Sequence, residues 1–225
     1  MSSFDETWQK IYQDGLQLNK YPWSDVVSFV FRNRPRLPQD QVSVLEVGCG
    51  SGPNLQFLAA EGFRTFGIDA SPAAVEVARQ RLQAKNLSAE VSVGDFTRLP
   101  FAENSMDLVI DRAAITHADS TSIARTVAEI GRVLKPGGKF LFTPFGDSHS
   151  GFSRGELGAD GTSSAITDTH LAGFQVTFFN AKEITALFAG SSWTLLSCVR
   201  REEVDLLDSS GTFASWVVVA QKKSD

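Results

Sequence analysis

From Val42 onward the chain alternates two hydrophobic periods. Short runs rich in apolar and β-branched residues at 42–47, 64–68, 90–93, 107–111 and 139–143 read as strands. Between them, 53–61, 72–85 and 120–134 carry apolar residues at helical spacing, with Pro53 and Pro72 at helix starts and Gly137-Gly138 placed to stop the third helix. Such alternation predicts a parallel sheet with helices on both faces. Upstream, Trp8, Ile11 and Tyr12 share one helical face before Gly15, and Val26, Val27, Val30 and Phe31 repeat that pattern before Pro35. Residues 145–180 break the rhythm: a stretch rich in Gly, Ser and Asp that opens Phe145-Gly146-Asp147-Ser148-His149 and has no clear period is expected to be functional or mobile. Asn180 with Glu183 then reads as a capped helix start running to about 189. Strand runs at 194–199 and 213–220, on either side of a turn at 208–211, predict an antiparallel hairpin at the sheet edge.

At 225 residues the chain suits one α/β domain. A net charge of −5 gives no global attraction for nucleic acid or membrane surfaces, so neither is an expected partner. Cys49 and Cys198 are too few for a disulfide framework, and no apolar run approaches the length of a membrane span. A cytoplasmic protein without a signal peptide, monomeric or homodimeric, is the expectation.

Chemistry concentrates around residues 44–52, Val-Leu-Glu-Val-Gly-Cys-Gly-Ser-Gly. An apolar strand running into glycines spaced G-x-G-x-G and then a helix lets the backbone approach a nucleotide-like ligand closely. Asp69, ending the next strand, can accept from both hydroxyls of a ribose. A dinucleotide fingerprint would have glycine at position 53, where this chain has Pro53. Asp69, Asp95 and Asp111 each end a predicted strand and should face one crevice. Three histidines, His117, His149 and His170, follow strand four or lie in 145–180; histidine is the side chain suited to act as a base near neutral pH. No histidine or cysteine spacing suggests a metal site.

With Glu46 before the turn, Asp69 after strand two, Gly94-Asp95-Phe96 after strand three and Lys135-Pro136-Gly137-Gly138 before strand five, the chain resembles the class I S-adenosylmethionine-dependent methyltransferases over roughly 40–145. The resemblance implies a three-layer Rossmann-like fold with a mostly parallel seven-stranded sheet and a C-terminal antiparallel hairpin. It divides the single domain into a helical lid (1–40), a cofactor-binding core (41–144), a substrate-side insertion (145–180) and a C-terminal helix with strands (181–225). It places Glu46, Gly48, Cys49, Gly50 and Gly52 around the methionine part of S-adenosylmethionine, and Asp69 on the ribose. Ala70 and Ser71 would line the ribose and adenine region, with Gly94, Asp95 and Phe96 at the adenine. Asp111 and Arg112 fall near the methionine end, although an internal Asp–Arg pair reads equally well. Trp8 and Tyr12 would close over the cofactor, joined in the lid region by Tyr21 and Trp23. His117 and His149 are the implied catalytic bases, with packing beside the cofactor left open for His117. The implied reaction moves a methyl group to oxygen or nitrogen of a small molecule, of the kind found in secondary metabolism. Asp111-Arg112-Ala113-Ala114 lacks the Asn/Asp-Pro-Pro-aromatic of DNA amine methylation and the Pro-Cys of cytosine C5 methylation. The alternatives are a noncatalytic domain that binds S-adenosylmethionine, or a nucleotide-dependent oxidoreductase.

Overall fold

A computed structural model of the chain describes residues 7–190, 192–207 and 211–224. Two helices, α1 (Thr7–Gln13) and α2 (Ser24–Asn33), precede β1 (Ser43–Val47), α3 (Pro53–Ala60), β2 (Arg64–Asp69), α4 (Pro72–Ala84), β3 (Glu90–Val93), β4 (Met106–Asp111), α5 (Ser120–Val133) and β5 (Leu134–Phe142). Next come a single turn α6 (Ser150–Ser153), the short ladder of β6 (Glu156–Leu157) with β7 (Ser163–Ser164), α7 (Ala181–Leu187), and the long strands β8 (Trp193–Val204) and β9 (Thr212–Lys222). The main sheet runs β3-β2-β1-β4-β5-β9-β8, parallel through β5 and antiparallel from β5 to β9 and from β9 to β8. Strand order reverses between β1 and β4, which opens a crevice at their carboxyl ends.

Every residue of β1 and β4 is buried, because helices cover both faces of the sheet. One face packs Leu45, Val109, Phe140 and Phe142 beneath α5 and α7; the other packs Val44, Leu108 and Leu141 against Val26, Phe29 and Val30 of α2. Phe29, not Phe31, is therefore the buried aromatic of α2, and Phe31 is 44% exposed. Helix α1 has no fully buried residue. Among the described residues no helix is long and apolar enough to cross a membrane.

Two expected boundaries move. Gly137-Gly138 do not stop α5: the chain turns extended at Leu134 (φ −67°, ψ 138°), whose buried side chain pairs opposite Met106, and the glycines form a kink inside β5. A Cβ on Gly138 would lie 2.8 Å from the Lys135 carbonyl oxygen. The edge strands are longer than their apolar runs, since Arg200, Arg201, Glu202 and Glu203 continue the ladder opposite Trp216, Ser215, Ala214 and Phe213. Positions 208–210 of the predicted turn lie outside the described residues. Segment 145–180 has little regular structure but is pinned by bridges Phe145↔Ser215 and Gly146↔Phe179 and by Thr116 Oγ1 donating to the Thr177 carbonyl.

Gly48, Gly50 and Gly52 all have positive φ (65°, 51°, 74°). A Cβ on Gly48 would sit 2.1 Å from the Ala114 Cβ, so only glycine lets the β1–α3 turn meet the turn after β4. Gly48→Ala is expected to lose about 2–5 kcal/mol from left-handed strain plus overpacking, read as a lower denaturant midpoint; an unchanged midpoint would show that this contact is dispensable.

Candidate cofactor and acceptor site

Two joined cavities lie over the carboxyl ends of β1, β2 and β4. The larger, about 570 Å³, runs from Glu46 and the Gly48–Ser51 turn to an aromatic wall of Phe145, His170, Phe174 and Phe213. The smaller, about 120 Å³, is enclosed by Asp69, Ala70, Phe96 and Ala114. Trp8, Tyr12, Gly48, Arg112, Ala113 and His117 border both.

Glu46, next to the last residue of β1, is only 2% exposed. Its Oε1 accepts from Asn54 Nδ2 at 2.6 Å, and Oε2 is buried without a hydrogen bond. Burial lifts its pKa to about 8, the Asn54 hydrogen bond opposing and the nearby Asp111 adding to the rise. At the end of β2, Asp69 Oδ2 accepts from Gly50 N–H at 2.8 Å and Oδ1 from Ser71 N–H at 2.9 Å. Burial raises this carboxyl too, with the two backbone donors pulling it back. Each oxygen keeps a second lone pair. Ser71 caps α4 by accepting from Ala74 N–H, and its hydroxyl donates to Gln9 Oε1 of α1 at 2.6 Å. That contact brings Trp8 and Tyr12 over the cavities; a Cβ on Gly50 would lie 2.4 Å from the Tyr12 hydroxyl, whose pKa is raised by burial and by Asp69.

Four of the predicted residues, Gly52, Gly94, Asp95 and Asp111, border neither cavity. Gly52 makes room for Ala78, whose Cβ would lie 2.9 Å from an added Cβ, and Gly94 makes room for Ile68. Asp95 is exposed, and its Oδ1 accepts from Thr97 N–H at 2.7 Å. Asp111 is fully buried: Oδ1 takes the Ala114 and Ile115 N–H groups at 2.9 and 2.8 Å, so it builds the turn after β4. Burial pushes its pKa up to about 6. The internal Asp–Arg pair left open by the sequence does not form; Arg112 makes no ion pair among the described residues and stacks on Trp23 at 4.0 Å. Cys49 borders the larger cavity, but its buried thiol packs with Leu55, Val75 and Ala78, and burial raises its pKa.

The histidines separate. His117 Nδ1 must donate to the Gln175 carbonyl (3.0 Å), because a carbonyl only accepts, which places the lone pair of the neutral ring on Nε2. The ring meets Trp8 edge-on at 5.0 Å and Phe174 at 5.5 Å. His149 instead is 2% exposed, caps α6 by accepting from Gly151 N–H at 2.9 Å, and has its pKa pushed down to about 4 by burial and by His170. It borders neither joined cavity, and a buried imidazole that caps α6 stands where a base is expected from sequence. Asn54, Phe145, Phe174 and Phe213 also line the larger cavity, and no sequence motif marks them for it. The Asn54 contact depends on the start of α3 folding back over β1; Phe145 and Phe174 come from a segment without periodic signal, and Phe213 opens a predicted edge strand whose approach to that segment is a tertiary matter.

A family profile described as a methyltransferase domain matches residues 44–138. The tRNA N(3)-methylcytidine methyltransferase of Drosophila melanogaster is 33% identical over 112 residues, 46% of this chain and 34% of that protein. Demethylmenaquinone methyltransferase of Symbiobacterium thermophilum is 36% identical over 103 residues, 44% of this chain and 40% of that one. The chain thus spans well under half the length of these relatives. The 1,6-didemethyltoxoflavin-N1-methyltransferase of Burkholderia thailandensis, solved with 1,6-didemethyltoxoflavin and S-adenosylhomocysteine bound, superposes with a TM-score of 0.69 at 18% identity, over 97% of this chain and 87% of that one. Residues 44–138 match a methyltransferase domain, and the fold is shared with the solved methyltransferase. The matched segment begins inside β1 and ends at Gly138, so the glycine turn, Asp69 and the turn after β4 all lie within it, whereas α1 and the aromatic wall of 145–174 and 213 lie outside it.

Glu46 gives this domain a pH signature. Its carboxyl titrates near 8 when folded, against an ordinary value of 4.5, so the folded state binds the extra proton between those values. Stability is fully present below the lower value and declines as pH rises through the upper one. Glu46→Gln is expected to flatten this decline across roughly pH 5 to 8 in denaturant titrations of the protein alone; an unaltered slope would assign the decline to other groups.

Proposed function

We propose that this methyltransferase domain moves a methyl group from S-adenosylmethionine to an oxygen or nitrogen of a small molecule held in the larger cavity. The observation that carries the reading is the junction of two unlike surfaces, a polar cradle of Glu46, Asn54, Asp69 and glycine backbone meeting the aromatic wall. The cradle fits the cofactor. The partnerless Glu46 Oε2 suits an ammonium, the spare lone pairs of Asp69 suit two adjacent hydroxyls, and Phe96 offers a face to a purine. When bound, the cofactor supplies a methyl group already activated on a sulfonium.

The chain's own work is then placement and exclusion of water. Trp8 and Tyr12 cover the junction of the cavities, and Trp8 stacks on Phe174 at 4.9 Å, joining lid and acceptor wall. His117 borders both cavities with the Nε2 lone pair set by its bond to Gln175, the atom a base would use on a hydroxyl acceptor. A small acceptor suits a chamber of this volume, and the net charge of −5 offers no pull on a phosphate backbone.

Calorimetric titration with S-adenosylmethionine, S-adenosylhomocysteine and NADH tests the cofactor; the first two should bind, and NADH binding alone would overturn the proposal. Asp69→Ala is expected to weaken S-adenosylhomocysteine binding by about 1–3 kcal/mol, and unchanged affinity would remove Asp69 from the ribose. With an acceptor found by screening, His117→Gln should cost roughly 100-fold in kcat and abolish the acid limb of the kcat profile. Full turnover across pH would exclude His117 as base.

A further inference from the structure

The main sheet ends in an open edge. Strand β8 pairs with β9 on one side and, among the described residues, with no strand on the other. Every residue from Leu196 to Leu207 is exposed, and Leu196, Val199, Val204, Leu206 and Leu207 present large apolar side chains there. The geometric guards of this edge stop early. Its register irregularity lies between Leu195 and Ser197, and from Ser197 to Val204 the strand has no proline and an unbroken register with β9. Such an edge offers its outward N–H and C=O groups to a further strand.

Charge is the remaining guard, and its order is specific. Residues 199–204 read Val-Arg-Arg-Glu-Glu-Val, so each basic position has an acidic counterpart when the strand is reversed. Charged edges ordinarily turn partner strands away; this one matches itself run backwards. A two-fold axis that extends a sheet stands perpendicular to it and between opposed residues. One residue therefore faces its own copy, and positions equally far before and after it face each other. With the axis at Arg201, Arg200 faces Glu202 of the second copy, Glu202 faces its Arg200, and Cys198 faces its Val204. Arg200 Nη2 already lies 2.6 Å from Glu202 Oε1 within the chain, so these four side chains alternate in sign around the axis. Each Arg201 at the axis is neutralised by its own Asp25, both of whose oxygens lie 2.7 Å from Nη1. Just beyond the paired stretch the same register sets Leu196, 46% exposed, opposite Leu206, 91% exposed. Moving the axis to Glu202 would set Glu202 against itself, Val204 against Arg200 and Val199 against Asp205. Charge and apolar pattern thus select one register.

We propose that β8 is a homodimerisation edge: two copies join antiparallel about Arg201, and cross-strand Arg200–Glu202 pairs fix the register as two seven-stranded sheets become one. Arg201 and Glu203 also border the larger cavity, so the second copy's strand runs along its rim, with its Val199 facing Glu203.

Sedimentation equilibrium of the full chain tests this. Wild type should behave as twice the 24.5 kDa chain mass. Arg200→Glu and Glu202→Arg each put like charges at both cross-strand contacts and should raise the dimer dissociation constant about 10- to 100-fold. An equimolar mixture of these two variants sets opposite charges across the axis again and should dimerise near wild-type affinity, which also reports that both are folded. If either single variant lowers the denaturant midpoint, the double variant Arg200→Glu/Glu202→Arg decides instead: it keeps the net charge and should dimerise like wild type. A wild type that stays monomeric at every concentration overturns the proposal, as does a dimer indifferent to both reversals or a loss that opposite charges do not recover. None of these outcomes depends on cofactor binding.

Discussion

One carboxylate ties the site together. Asp69 spends one oxygen on Gly50 N–H and the other on Ser71 N–H, so the turn after β1 and the turn after β2 are held at a common distance by a single rigid group. The glycine turn cannot drift outward without breaking the first bond, nor α4 without breaking the second. Because Ser71 in turn donates to Gln9, the placement of α1 and its aromatics is inherited from the same anchor. Charge-assisted bonds in a half-buried setting are strong enough for this task, and they leave Asp69 the capacity to do more.

Around that anchor the protein has collected acids where burial disfavours their charge. Glu46 and Asp111 lie one strand apart, in β1 and β4, and each has its pKa raised chiefly by loss of water. Such an arrangement opposes folding at alkaline pH and is expected where polar groups are set in place for a ligand instead of for each other. Asp111 shows the structural use of the same material: one oxygen closes the turn that positions Arg112, Ala113 and His117.

The sequence made the scaffold legible because its signals are local. Apolar runs mark β1, β2 and β4, prolines mark the starts of α3 and α4, and glycines mark the turn that must pass close to Ala114. Where tertiary pairing overrode local pattern, boundaries shifted: Leu134 enters a strand because Met106 is there to pair with it, and Arg200 to Glu203 stay in a strand through backbone bonds to β9 although none of them is apolar. In the site, the strand-end acids could be placed from spacing, but their division of labour could not. Asp69 and Asp111 look alike in sequence, yet one borders a cavity and the other lies beneath it. His149 and His117 are set apart by burial and by which backbone group a ring nitrogen meets, Gly151 N–H or the Gln175 carbonyl, and no periodicity encodes that.

The aromatic wall is drawn from the segment 145–174 and β9, whereas the glycine turn and Asp69 are fixed by a hydrogen bond to each other at the ends of β1 and β2. A substitution at Phe174 or Phe213 therefore reshapes the chamber without moving the cradle, and a substitution at Gly48 disturbs both. This asymmetry divides the chain into a part that natural variation can rewrite at little thermodynamic risk and a part it must copy faithfully. Descendants of such a scaffold would diverge first in what they admit through the aromatic mouth, long before they diverge in the nucleoside they hold beneath it.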